Sequence, residues 1–98
     1  MIKVEPFCIN EQHFLCVIMK LPGLTTRLIY CTKGILFDDS WCIERLKRKD
    51  RVPICIGEGK SIESLLKNPI KECCLTARKK GIECGMTGEE ALMKMYEL

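Results

Sequence analysis

The stretch HFLCVIMKL, residues 13 to 21, is the strongest constraint in this chain. It is an almost unbroken apolar run that includes β-branched Val17 and Ile18. Polar Asn10-Glu11-Gln12 precede it, and it ends at Leu21-Pro22-Gly23. Its length suits a strand better than a helix, and its lack of alternation predicts a central strand covered on both faces. On either side of it the chain reads as more β-structure. IKVEPFCI, residues 2 to 9, is a short strand that Pro6 assigns to a sheet edge. TTRLIYCT, residues 25 to 32, is a third strand, joined to the run by a hairpin turn at Pro22-Gly23. KGILF opens on a tight turn at Lys33-Gly34 and gives a fourth.

The character then changes. DDSWCIERLKRKD reads as a helix capped by Asp39 or Ser40, with Cys42, Ile43 and Leu46 as its apolar stripe. RVPICIGEG returns to strand. SIESLL is a short helix capped by Ser61. NPIKECCLTARKKG is expected to be a longer one. Asn68 would cap it and Pro69 would take the first helical position. Ile70, Cys73, Cys74 and Ala77 fall at i, i+3, i+4 and i+7 on one face, and Gly81 would end it. Thr87-Gly88-Glu89-Glu90 is a capping box that starts a last helix with Ala91, Leu92, Met95 and Tyr96 buried. Strands first and helices later predict one α+β domain over residues 1–98. It should be a two-layer sandwich, its mixed and mostly antiparallel sheet carrying helices on one face.

Eight cysteines in 98 residues raise the question of a disulfide scaffold. Most of them sit inside apolar runs, as in FCI, LCVIM, YCT and ICI, where a small hydrophobe belongs. Cys8, Cys16, Cys31 and Cys55 are therefore expected to be reduced core residues. The opening MIKVEPFCINEQHF reads as neither a signal nor a transit peptide. No apolar run approaches the ~18 residues of a membrane helix. A soluble, cytoplasmic protein is the expectation.

Motifs that carry chemistry are few. GEGKSIESLL imitates a phosphate loop at Gly59-Lys60-Ser61, but Ile54 stands where the first glycine belongs and the loop is too short to wrap a nucleotide. No Cys-x-x-Cys pair exists and His13 is the single histidine, so no metal and no cofactor is expected. The run from Arg45 to Arg51 could touch phosphates, yet no aromatic residues interleave with it, and nucleic acid is an improbable partner. The turn from Gly81 to Gly88 is explained mainly as a helix stop followed by a helix start. Cys84, Gly85, Thr87 and Gly88 within it are the candidate ligand contacts. Cys84 is also the candidate reactive thiol, with Cys42 as the other.

SIESLLKNPIKECCLTARKKGIECGMTGEEALMKM resembles the YunC-like family, small bacterial and archaeal proteins of unknown function. The likeness lies in the Ser-Ile-x-x-Leu-Leu segment, the proline-started segment, and Gly81, Ile82, Gly85, Met86, Thr87, Gly88, Glu90, Ala91 and Leu92. LPGLTTRLIYCTKGILF extends it more loosely. After the fourth strand, family members commonly carry a Cys-Gly segment leading into an aspartate. Here the chain reads GILFDDSWCIERL, with Asp38 or Asp39 in place of that aspartate and Cys42 too late to be that cysteine. The resemblance implies a two-layer α+β fold and supplies no reaction.

The function these readings favour is a non-catalytic module that binds a small ligand or regulates through interaction. A homo-oligomer, most simply a dimer, would cover the second face of residues 13 to 21. The alternatives are a thiol-dependent enzyme or redox protein using Cys84 or Cys42, and a nucleic-acid-associated protein using Arg45 to Arg51.

Overall fold

A computed structural model describes residues 1–42 and 52–96. The elements are β1 (Ile2–Ile9), β2 (Gln12–Leu21), β3 (Leu24–Cys31), β4 (Gly34–Phe37), β5 (Ile54–Ile56), α1 (Ile62–Lys67), β6 (Glu72–Cys73), α2 (Leu75–Lys79) and α3 (Gly88–Tyr96). The strands lie in chain order in one sheet, antiparallel throughout except for β4 against β5. This is the expected α+β architecture, with helices on one side of a mixed sheet.

Local chemistry sets the two long hairpins. Asn10 and Glu11 both hold positive φ, 48° and 70°, which gives a two-residue loop of the mirror-image kind that matches strand twist. At the next hairpin Gly23 takes φ 74° after Pro22, the arrangement a Pro-Gly turn requires. The third turn is Thr32-Lys33, one residue earlier than expected, and Gly34 opens β4 opposite Cys31. Gly34 is needed for packing: a Cβ there would lie 2.6 Å from the Met95 sulfur.

Side chains alternate across the sheet. Phe7, Phe14, Cys16, Ile29, Leu36 and Cys55 point to the helix side, where Leu65, Ala91, Leu92 and Met95 are buried against them. Phe14 contacts Phe7 at 5.7 Å and Tyr96 at 5.5 Å between ring centroids. The run at residues 13 to 21 is thus covered on one side only, at Phe14 and Cys16. Its other side is half-exposed, because β2 lies next to the edge strand and the helix layer sits on the opposite face.

The segment 68–74 departs from expectation. It is extended, and the helix there is only Leu75–Lys79. Its amides are claimed by neighbouring strands: Lys71 N–H donates to Ile56 O at 2.7 Å and Cys74 N–H to Ile54 O at 3.0 Å. Ile70, Cys73, Cys74 and Ala77 are all buried, so the helical spacing recorded burial and not conformation. Asn68 closes α1, its N–H donating to Ser64 O at 2.9 Å. The helix expected after Ser40, with Ile43 and Leu46, lies outside the described residues, as does the basic run Arg45 to Arg51.

Candidate functional sites, an uncharged sheet face and a cluster of thiols

The closing turn resolves into two halves. Thr87 and Gly88 belong to the frame. Glu90 N–H donates to Thr87 Oγ1 at 3.2 Å and the Glu90 carboxylate accepts from Thr87 N–H at 3.4 Å, the reciprocal capping box. Gly88 is buried, and a Cβ on it would stand 2.3 Å from Leu65 O and 2.9 Å from a Leu36 methyl. Backbone-to-backbone approach between α3 and α1 therefore accounts for this glycine. Cys84 and Gly85 are exposed, and Gly85 takes φ 101° with open space around it.

Cys84 is not isolated. Cys73 stands on β6 directly opposite Cys55 on β5, with their sulfurs 3.8 Å apart. Cys84 lies over the same segment, its S–H donating to Lys71 O at 3.3 Å, two residues before Cys73, and its charge couples to that of Cys73. Three cysteines from three separate segments thus share one neighbourhood, Cys55 and Cys73 buried and Cys84 exposed. The S–H that Cys55 donates to Cys73, with the Cys84 thiol and the Arg78 charge nearby, outweighs its burial and holds its pKa down at about 7. Cys55 moves the other way, first because it donates to Cys73 and then because it is buried. Cys84 is also raised, by desolvation and then by charge on Cys73. Sequence spacing hid this cluster because residues 73 and 84 meet only once the 81–88 turn folds back over β6.

The other candidate thiols are elsewhere. Cys42 is half-buried beyond the corner at Asp38. That corner is built from the chain's own donors: Asp38 accepts from Arg27 N–H at 2.9 Å, Ser40 N–H at 3.0 Å, the Thr26 hydroxyl at 3.3 Å and the Ser40 hydroxyl. Trp41 Nε1 donates to the same Thr26 hydroxyl at 2.6 Å. The Asp38–Cys42 segment is thus tied into a structural corner. Cys16 and Cys55 are buried and Cys31 is half-buried, but Cys8 is exposed, contrary to expectation. It points away from the helices, with its sulfur 3.2 Å from His13 Nδ1, its cross-strand partner. Among the described residues no three metal-ligating side chains converge in a way that could hold an ion.

The side of the sheet that faces away from the helices has a distinct composition. On β1 it carries Ile2, Val4, Pro6 and Cys8; on β2 His13, Leu15, Val17, Met19 and Leu21; on β3 Leu24, Thr26, Leu28 and Tyr30. No aspartate, glutamate, lysine or arginine is among them. Ile2 is 65% exposed, Val4 54%, Leu24 48% and Leu21 47%. The charges of this hairpin, Lys3, Glu5 and Lys20, project on the other side, where Lys3 and Glu5 pair at 3.1 Å. Two apolar hollows lie at opposite ends of the uncharged side. One of about 290 Å³ lies among Met19, Leu21, Leu24 and Trp41, and one of about 220 Å³ among Pro6, Leu15 and Tyr30.

Comparison with known proteins places this fold. Residues 43–95 match the model of a family described as a domain of unknown function, DUF1805. Over 101 aligned positions the chain is 30% identical to an uncharacterized protein, YunC, of Bacillus subtilis (strain 168), covering 99% of this chain and all of that one. The chain belongs to the DUF1805 family. A solved structure, that of a protein of unknown function, TA1206, from Thermoplasma acidophilum, superposes on it with a TM-score of 0.86 at 19% identity. The alignment covers 97% of this chain and 93% of the other. The fold described here is thus shared by a distant sequence. Neither relative carries a named activity.

Proposed function

We propose that the chain is a small non-catalytic interaction module that works as a homodimer, two copies meeting across the uncharged side of the sheet. The observation that carries this reading is the sidedness of the β1–β2 hairpin. Beyond the reach of the helices, its charged residues project on the helix side and its aliphatic ones on the bare side. Solvent on both sides would favour the reverse, since apolar area costs about 25 cal/mol per Å² left in water. Three strands about 4.8 Å apart and about 27 Å long make a patch on the order of 400 Å² in plan, the size of the largest apolar patch on a typical monomer, which is often functional.

A second copy is the occupant the face suits. An uncharged surface meets its own image without like-charge repulsion, and a two-fold axis sets the Leu21–Leu24 ridge of one copy toward a hollow of the other. Pairing at the strand edge is disfavoured. Met1 and Lys20 exchange both backbone hydrogen bonds, at 2.8 Å each, so alternation turns the backbone of Ile2, Val4, Pro6 and Cys8 outward. Pro6 then leaves a missing donor in the middle of the open edge. Small-ligand binding is less well supported. The apolar hollows fall below the roughly 300 Å³ typical of ligand pockets. The polar one, about 440 Å³, sets Asp39 and Glu58 beside Lys60 and is open to solvent.

Light scattering at micromolar concentration tests the proposal. Dimer mass is expected for the wild type, and monomer mass for Val4→Lys and Val17→Lys with unchanged circular dichroism. A wild-type monomer across that range, or a dimer unaffected by both lysines, would overturn it.

A further inference from the structure

We propose that Cys73 and Cys84 are an oxidisable pair that closes to a disulfide on exposure to a hydroperoxide, with Cys55 as the buried thiol that positions and activates Cys73. This inference is independent of the dimer, because the cluster lies at β6 and the closing turn, at the far end of the sheet from β1.

Geometry carries it. Cys73 has the Cys55 sulfur 3.8 Å away in the core, and the exposed Cys84 sulfur sits 3.3 Å from Lys71 O, two residues back along its own segment. Cys55 points its S–H at it, and the Arg78 cation and the Cys84 thiol lie nearby, so the negative charge of the cluster collects on the Cys73 sulfur. A core that used cysteine only as a small hydrophobe would have no need to place the third thiol at the solvent boundary, on a turn with open space around Gly85. A turn held by backbone bonds at each end, Ile82 N–H to Ala77 O at 3.1 Å and Gly85 N–H to Ile70 O at 3.3 Å, brings the Cys84 sulfur to the Lys71 carbonyl, beside Cys73, while leaving it exposed.

The chemistry balances as follows. The Cys73 thiolate attacks the terminal oxygen of the hydroperoxide. The O–O bond breaks, and the leaving alkoxide (hydroxide, for hydrogen peroxide) takes up a proton. Cys73 is left as a sulfenic acid. The Cys84 sulfur attacks that sulfur, an S–S bond forms, and hydroxide leaves with the Cys84 proton as water. The two thiols together lose two electrons, and the peroxide gains them. A thiol reductant reverses the change.

Peptide mapping tests it. The reduced protein is treated with a small molar excess of hydrogen peroxide, alkylated in denaturant and digested with trypsin. Cys55 falls in the peptide 52–60, Cys73 in 72–78 and Cys84 in 81–94. Expected is a 72–78/81–94 cross-link that dithiothreitol removes and that survives Cys74→Ala, which excludes the neighbouring thiol. In Cys84→Ser the cross-link should vanish and a dimedone adduct should accumulate on Cys73. In Cys55→Ala, oxidation of Cys73 should slow several-fold. A cross-link only between 81–94 peptides of two copies would overturn the proposal. So would oxidation of Cys73 no faster than that of buried Cys16 in the wild type.

Discussion

Gly88 is the residue whose role the structure changes most. At the first helical position glycine is a poor choice by propensity, and its replacement by alanine would be mild in open space. The Leu65 carbonyl at 2.3 Å from a built Cβ removes that option. Gly88→Ala should destabilise by about 1–3 kcal/mol, the usual cost of forcing atoms into a packed core. Thr87→Ala should cost only the cap, ~1 kcal/mol. Urea midpoints of the two variants check the order. Equal midpoints would mean that α1 and α3 slide apart freely. At the same scale, the low pKa of Cys73 has a readable sign. Its thiolate exists above about pH 7 and is lost below it, whereas an ordinary thiol titrates at about 8.5. The rate of iodoacetamide labelling at Cys73 should therefore rise through about pH 7. In Cys55→Ala the midpoint should move upward, because the largest donor to the thiolate is gone.

Among the elements, β1 shows how an exposed edge is kept from pairing. Its outward-facing backbone would offer a row of donors and acceptors to another chain, and Pro6 interrupts that row. Pro6→Val restores the missing N–H without charging the face. Soluble aggregates by light scattering, with little change in the melting temperature of the fraction that stays unaggregated, are the expected result. Unchanged scattering would show that something other than the proline protects this edge. The segment 68–74 illustrates the opposite case, in which a local signal loses. Asn68-Pro69 and a helical apolar spacing favour a helix by a few tenths of a kcal/mol per residue. The extended form gains hydrogen bonds to β5 and places two thiols in the core. Short α1 survives beside it because its cap is reciprocal: Ser61 and Ser64 each satisfy the other's backbone N–H at 3.1 Å.

For the whole molecule, the proposed dimer couples stability to concentration. If folding and association are linked, each tenfold rise in protein concentration should raise the melting temperature, and Val17→Lys should abolish the dependence. A melting temperature independent of concentration, in a protein that scatters as a dimer, would mean that each copy unfolds without the other's help. No described helix is long and apolar enough to cross a membrane. The DUF1805 match and the YunC relative fix the family without naming a reaction.

The sequence by itself determined what depends on neighbours in the chain. Pro22-Gly23 dictated a hairpin, because few other pairs supply that φ pattern without strain. Ser61 and the Thr87–Glu90 box started two helices where a side chain could reach an orphan amide. The apolar runs marked five strands, and their order implied α+β. Only the tertiary structure decided the rest, since it turned on contacts between residues far apart in sequence. Whether 69–74 was helix or strand depended on the free edge of β5. Gly88 was fixed by a carbonyl on another helix. Cys55, Cys73 and Cys84 became a cluster because a strand pairing and a folded-back turn converge on one side of the sheet, which no spacing along the chain records. The bare face of β1 to β3 was legible as apolar, but its exposure followed from where the helices packed.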